Sequence, residues 1–133
     1  MANPNIVNET QIYGQTNYLT PANTSTLVLI ANTSGSGNVF KINQIVAANQ
    51  TNTAANVTVS LFTSGATTSG NAVTRAAATT FDVASNISVP AYASLIVVDK
   101  TTATYLLEDK AFVCQSGTNS AITFSVSYEQ LSS

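Results

Sequence analysis

Hydrophobic and polar residues alternate most cleanly in two stretches of this chain. From Asn56 to Leu61, Val57, Val59 and Leu61 take every second place, with Asn56, Thr58 and Ser60 between them. Further on, Ile122, Phe124, Val126 and Tyr128 alternate with Thr123, Ser125, Ser127 and Glu129. Successive strand side chains point to opposite faces, so a period of two predicts strands with one buried and one wet face. Phe40, Ile42 and Val46 repeat the pattern less cleanly in Val39 to Ala48, as do Ile87 and Val89 in Asn86 to Pro90. Leu27 to Ile30 and Leu95 to Val98 are apolar at consecutive positions, which predicts strands covered on both faces, placed centrally or beneath a neighbouring subunit. Tyr105 to Leu107 and Ala111 to Gln115 complete the strands, with a shorter one around Gln11 to Gly14.

Turn-forming clusters separate these runs: Asn32 to Asn38, Asn49 to Ala55, Thr63 to Asn71, Asp99 to Thr104 and Gln115 to Ser120. No long segment carries a helical stripe, and abundant Thr and Val disfavour helix through their stiff χ1; Ala72 to Ala78 is the one stretch suited to a helical turn. Pro90 cannot donate to a ladder and belongs at a strand end or bend. The spacing predicts an all-β fold, an antiparallel β-sandwich or a small jelly-roll or Ig-like barrel. Weak periodicity over residues 1–20, anchored by Tyr13, Tyr18 and Leu19, reads as an N-terminal arm ahead of a sandwich domain at 21–133.

Composition narrows the chemistry. Among 133 residues there are four Lys or Arg, six Asp or Glu and no His, for a net charge of −2. General acid–base work needs a side chain titrating near neutrality, and metal sites are usually built from His, Cys and carboxylates. The expectation is therefore a protein that is not an enzyme and holds no cofactor or metal. Ser and Thr are plentiful but have no base to activate them. Glu108 and Asp109 are adjacent carboxylates in a predicted turn, where nothing separates their pKa values into an acid and a base. Asp82, Asp99, Glu108 and Asp109 lack the spacing of a calcium loop. Cys114, the single cysteine, lies in the apolar run Ala111 to Cys114 and reads as a small buried hydrophobe. Arg75, Lys41, Lys100 and Lys110 are scattered, which argues against nucleic acid, and no apolar run approaches the roughly 20 residues that span a bilayer. No secretory signal is recognisable at the start, so assembly in a cytoplasm is expected. The five tyrosines, Tyr13, Tyr18, Tyr92, Tyr105 and Tyr128, suit packing at the core and its rim, or stacking on a sugar or a protein neighbour.

Three stretches carry a resemblance. They are Met1-Ala2-Asn3-Pro4-Asn5-Ile6-Val7-Asn8 with Ile12-Tyr13-Gly14; Asn38 to Asn43 leading into Asn56 to Leu61; and Ile87 to Ala91 with Leu95 to Lys100, Tyr105 to Glu108 and Val126 to Glu129. Together these resemble a family of small all-β virion structural proteins of tailed phages that infect cyanobacteria. Two departures stand out: Glu108-Asp109-Lys110 occupies a bend that in the family often reads Glu-x-Gly-Asp, and Thr63 to Phe81 is longer, which suggests a surface projection. The resemblance implies a virion component assembled in the host cytoplasm, with capsid decoration or cement as the leading role. Its partners would be the major capsid protein or other virion proteins, with homo-oligomerisation, a trimer favoured, and no nucleic acid or membrane. Asn3, Pro4, Ile6, Val7 and Tyr13 of the arm are the expected partner-binding residues. The alternative is a tail, neck or fibre component binding virion proteins or host glycans. Asp99, Lys100, Glu108, Asp109 and Lys110 are expected to mark one solvent-facing end, leaving the neutral Thr/Asn/Ala surface to face a partner.

Overall fold

The structure, a computed structural model, describes residues 11–63, 68–99, 101 and 104–132. These form strands β1 (Gln11–Leu19), β2 (Leu27–Asn32), β3 (Asn38–Asn49), β4 (Ala55–Phe62), β5 (Thr80–Val89), β6 (Ser94–Val98), β7 (Thr104–Leu106), β8 (Lys110–Ser116) and β9 (Ile122–Ser132). One sheet has the order β1-β9-β3-β6, with β7 pairing the other half of β3; the second has the order β2-β8-β4-β5, and every pairing is antiparallel. If β6 and β7 are counted as one interrupted strand, the chain wraps between two four-strand sheets in the order of a jelly roll. The predicted sandwich is thereby sharpened, and the Ig-like option falls away.

The alternating runs lie where a sheet has one core face. Phe124, Val126 and Tyr128 of β9 point inward and are buried, while Thr123, Ser125 and Ser127 between them are partly exposed. Val57 and Val59 of β4 meet them from the opposite sheet in a core that also holds Leu29, Ile42, Ile45, Leu106 and Phe112.

The consecutive apolar runs lie elsewhere than expected. Both β2 and β6 are edge strands. β2 is nonetheless covered on both sides, because the chain's own 68–73 segment closes over it. Val28 N–H donates to Asn71 O at 2.9 Å, Gly70 N–H donates to Val28 O at 2.7 Å, and Ala72 bridges Leu27. Val28 thus joins Phe62, Ala111 and Val113 in a second apolar cluster under Val73. The 68–73 part of the Thr63–Phe81 stretch is accordingly a flap folded onto this sheet, and a single turn forms at the end of Ala72–Ala78, where Ala76 O accepts from Thr79 N–H (3.1 Å) and Thr80 N–H (2.9 Å). In β6, Val98 is buried but Ile96 stays 57% exposed, so only one face is covered.

Two buried asparagines tie the sheets together at opposite ends. Asn49, at the end of β3, donates its amide to Val89 O of β5 (3.0 Å) and Thr53 O (2.8 Å), and its Oδ1 accepts from the Thr51 N–H and hydroxyl. Asn32, at the end of β2, donates to Asn38 O of β3 and Leu106 O of β7, both at 2.9 Å, and accepts from the Ser36 hydroxyl. A side-chain amide supplies two donors and an acceptor in one plane, enough to join strands too far apart to share a ladder.

Candidate partner-binding surface

Of the residues expected to bind a partner, Asn3, Pro4, Ile6 and Val7 lie outside the described residues. Tyr13 sits on β1 opposite Gln130 and is 47% exposed. β1 itself reads as a strand over its full described length, beyond the Gln11–Gly14 suggested by its sequence. Among the described strands it pairs with β9 alone, so its outer row of backbone N–H and C=O groups has no ladder partner among the described residues. Side chains reinforce its attachment: Tyr128 Oη donates to Gln15 Oε1 at 2.8 Å, Gln15 Nε2 to Gln130 Oε1 at 3.2 Å, and the Thr16 and Ser127 hydroxyls meet at 3.3 Å. Burial raises the Tyr128 pKa, keeping its hydroxyl protonated to donate. Ile12 and Tyr18, the latter 78% exposed, project from this strand.

Tyr18 lies opposite Ser125 and Thr16 opposite Ser127, so both continue the outer face of the first sheet. That face carries Thr123, Ser125 and Ser127 on β9, with Ile96 on β6 and Tyr105 on β7 at its far side. It is a broad, pleated surface, hydroxyl-rich beside β1, with a few large apolar side chains and with Lys41 of β3 opposite Glu129 of β9. Its Thr123-to-Ser127 part, uncharged and polar, loses less on desolvation than a charged surface does.

A second apolar strip was missed by the sequence reading. β5 is exposed along most of its length, with Phe81, Val83 and Ile87 all at least two-fifths accessible. Phe81 and Ile87 oppose Leu61 and Val57, so they lie on the inner face of their sheet, at the side where the sandwich gapes. Register shifts at two places and a left-handed Asn86 (φ 52°) bend this edge, a device that discourages strand-on-strand pairing.

The described charges are mostly held by internal contacts. Asp82 Oδ1 accepts from Ser60 Oγ at 2.6 Å and from Arg75 at 2.6 Å, and Arg75 also donates to Ser60 at 3.0 Å. Those hydrogen bonds, the Ser60 one foremost, hold the Asp82 carboxyl below the usual carboxylate range. The pair is about one-third exposed and contributes little to stability. Glu108 Oε1 accepts from Gly37 N–H at 2.7 Å, Asp109 N–H donates to Asn32 O at 2.8 Å, and Lys110 Nζ donates to Thr63 O at 3.2 Å. The Glu108 carboxylate and the Asp109 backbone therefore brace a corner between loops. Lys100 lies outside the described residues. Asp99 caps Thr101 beside the middle of β3, where β6 gives way to β7, and so stands apart from the Glu108–Lys110 corner. The single charged end expected from sequence is in fact two separate places. Cys114 is buried, and desolvation pushes its thiol up to about 12, leaving no thiolate to react. Among the described residues no three His, Cys, Asp or Glu side chains gather as a metal site, and no helix is long and apolar enough to cross a membrane.

No family model and no curated protein matches the chain. Among solved structures it is similar to one from infectious bursal disease virus, strain Gx, at 9% identity and a TM-score of 0.34. The similarity covers 92% of this chain and 42% of that one, and is too slight to bear on function.

Proposed function

We propose that this chain is a non-enzymatic virion structural protein, a capsid decoration or cement protein that binds the outside of a shell and stabilises it. The observation that carries this reading is β1: an edge strand whose one ladder partner among the described strands is β9, exposed along nearly its whole length, with Ile12, Tyr13 and Tyr18 in the open. An open strand edge offers backbone pairing, and large apolar side chains beside it offer anchors. The hydroxyl-rich outer face next to β1 supports the same reading, since it can lie against a shell with little desolvation cost. The sequence resemblance to small phage virion proteins points the same way. The partner proposed is the major capsid protein, contacted by β1 and by Asn3, Pro4, Ile6 and Val7 before it, with the chain assembled as a trimer on local threefold positions.

Deleting Met1 to Asn8 is expected to lower occupancy on capsids severalfold while the unfolding free energy stays within about 0.5 kcal/mol of the full chain, as for other changes away from the core. Occupancy is read by quantitative gel or mass spectrometry of purified particles, and stability by urea unfolding. Full occupancy of the truncated protein would sink the role given to the arm.

A further inference from the structure

The two ends of the jelly roll differ in charge. At one end lie Glu108, Asp109 and Lys110, against the 33–37 turn. At the other, four loops, 20–26, 50–54, 90–93 and 117–121, contain no Asp, Glu, Lys or Arg. Backbone hydrogen bonds join them in a row. Asn49 N–H donates to Ala93 O (2.8 Å) and Tyr92 N–H to Thr51 O (3.1 Å); next, Gln50 N–H donates to Ala121 O (3.0 Å) and Ser120 N–H to Pro21 O (2.9 Å). The buried Asn49 amide fixes the row from beneath. This end is a rigid platform assembled from neutral amides and hydroxyls.

One large side chain stands on it. Tyr92 is 73% exposed and has φ 56°, at the third position of a turn closed by Ala93 N–H donating to Pro90 O at 3.1 Å. Glycine or asparagine ordinarily supplies that conformation, and a bulky residue there is strained. Strain of this kind persists where function holds it, and with so much of its surface open the Tyr92 ring gains little from packing within the chain. Beside it the Asn52 amide, and farther along the row the Asn119 amide, are exposed and make no hydrogen bond to the described residues.

We propose that this loop end is a binding site for a neutral glycan, with the Tyr92 ring as the stacking surface and the Asn52 and Asn119 amides as hydrogen-bonding groups. An aromatic ring offers its face to the C–H side of a sugar, while amides both donate and accept toward its hydroxyls. With no cation on these loops, phosphate, sulfate and sialic acid have no counter-charge, and nucleic acid has no track to follow. A protein partner would call for a cluster of anchors, yet the other exposed large hydrophobics all lie outside these loops. This proposal goes beyond the capsid reading and does not rest on it.

The test uses the free full-length chain, so its outcome is separate from that of particle binding. A glycan array is followed by NMR titration of the best neutral oligosaccharide, for the wild type, Tyr92→Ala, Tyr92→Phe and Tyr92→Gly. The expected result is binding of neutral but not preferentially of anionic glycans, with shift changes in the four loops. Tyr92→Ala and Tyr92→Gly should weaken binding at least about tenfold, while Tyr92→Phe keeps it. Thermal unfolding of Tyr92→Gly should match or exceed wild type, which separates lost contact from lost fold. Three results would overturn the proposal: no neutral glycan bound at millimolar concentration, binding indifferent to Tyr92→Ala, or Tyr92→Ala acting only on capsid occupancy and so marking a protein contact.

Discussion

Replacing Asn49 with alanine is expected to lower the unfolding free energy by about 3 kcal/mol, large for a polar side chain near a loop. The side chain is 3% exposed and makes four hydrogen bonds, to Val89 O, Thr53 O, Thr51 N–H and Thr51 Oγ1. Leaving the buried Val89 carbonyl without this donor costs about 1–3 kcal/mol, and the three part-buried bonds to Thr51 and Thr53, which water can replace, together add about 1 kcal/mol. Val89 is itself 1% exposed, so its carbonyl has little access to water once the amide is gone. Urea unfolding of Asn49→Ala beside Asn52→Ala makes the comparison sharp. Asn52 is an exposed neighbour in the same loop, and its loss should cost no more than about 0.5 kcal/mol. Equal, small effects at both positions would mean that Asn49 does not tie the sheets.

Phe124→Ala is expected to cost about 3–5 kcal/mol, the range for truncating a fully buried aromatic side chain. Phe124 is 0% exposed in the middle of β9, with Leu19 of β1 and Ala47 of β3 as its cross-strand neighbours. Ala47, opposite on β3, is too small to fill the space that truncating the ring would leave. Tyr18→Ala, one position away on β1 from Leu19 and 78% exposed, should change stability by less than about 0.5 kcal/mol. A cost below about 2 kcal/mol for Phe124→Ala would show that the core relaxes around the gap or is packed differently.

The strands that were legible in sequence are those with one core face and one wet face. β9 and β4 alternate cleanly because each lies inside its sheet, and register with two neighbours fixes which side is buried. β5 was hidden, and only its last residues from Asn86 onward read as strand. It is an edge with both faces largely wet and with register shifts that break the period of two, so no alternation survives in Thr80 to Ser85. Leu27 to Ile30 announced two covered faces correctly, but periodicity cannot say what covers them. A segment forty residues further along the chain supplies the second face, through Val73 and the Val28–Asn71 and Val28–Gly70 hydrogen bonds. Similarly, Asn32 and Asn49 look like ordinary turn formers in sequence. Only the fold shows them facing inward across the two sheets. Of the surface, Tyr13 and Tyr18 were foreseen as anchors of the N-terminal region. Phe81 and Ile87 were not, since an inner-face residue at a gaping edge resembles a core residue until the opposing sheet is seen to end.

The scarcity of charge takes on a more definite meaning in the folded chain. Arg75, Asp82, Glu108 and Lys110 brace loops and the flap, so the described surface beside β1 offers hydroxyls, amides and a few large apolar side chains, with Lys41 and Glu129 facing each other farther along the same outer face. Such surfaces bind by shape and backbone pairing and are little affected by salt. That is the character proposed for a shell-binding protein. Its most direct test is the position and copy number of the chain in purified virions, by cryo-electron microscopy with quantitative mass spectrometry. The account predicts density for the jelly roll on the capsid exterior, with β1 against the shell and a copy number in fixed ratio to the major capsid protein. Density confined to the neck, tail or fibres, or absence of the chain from the particle, would contradict it.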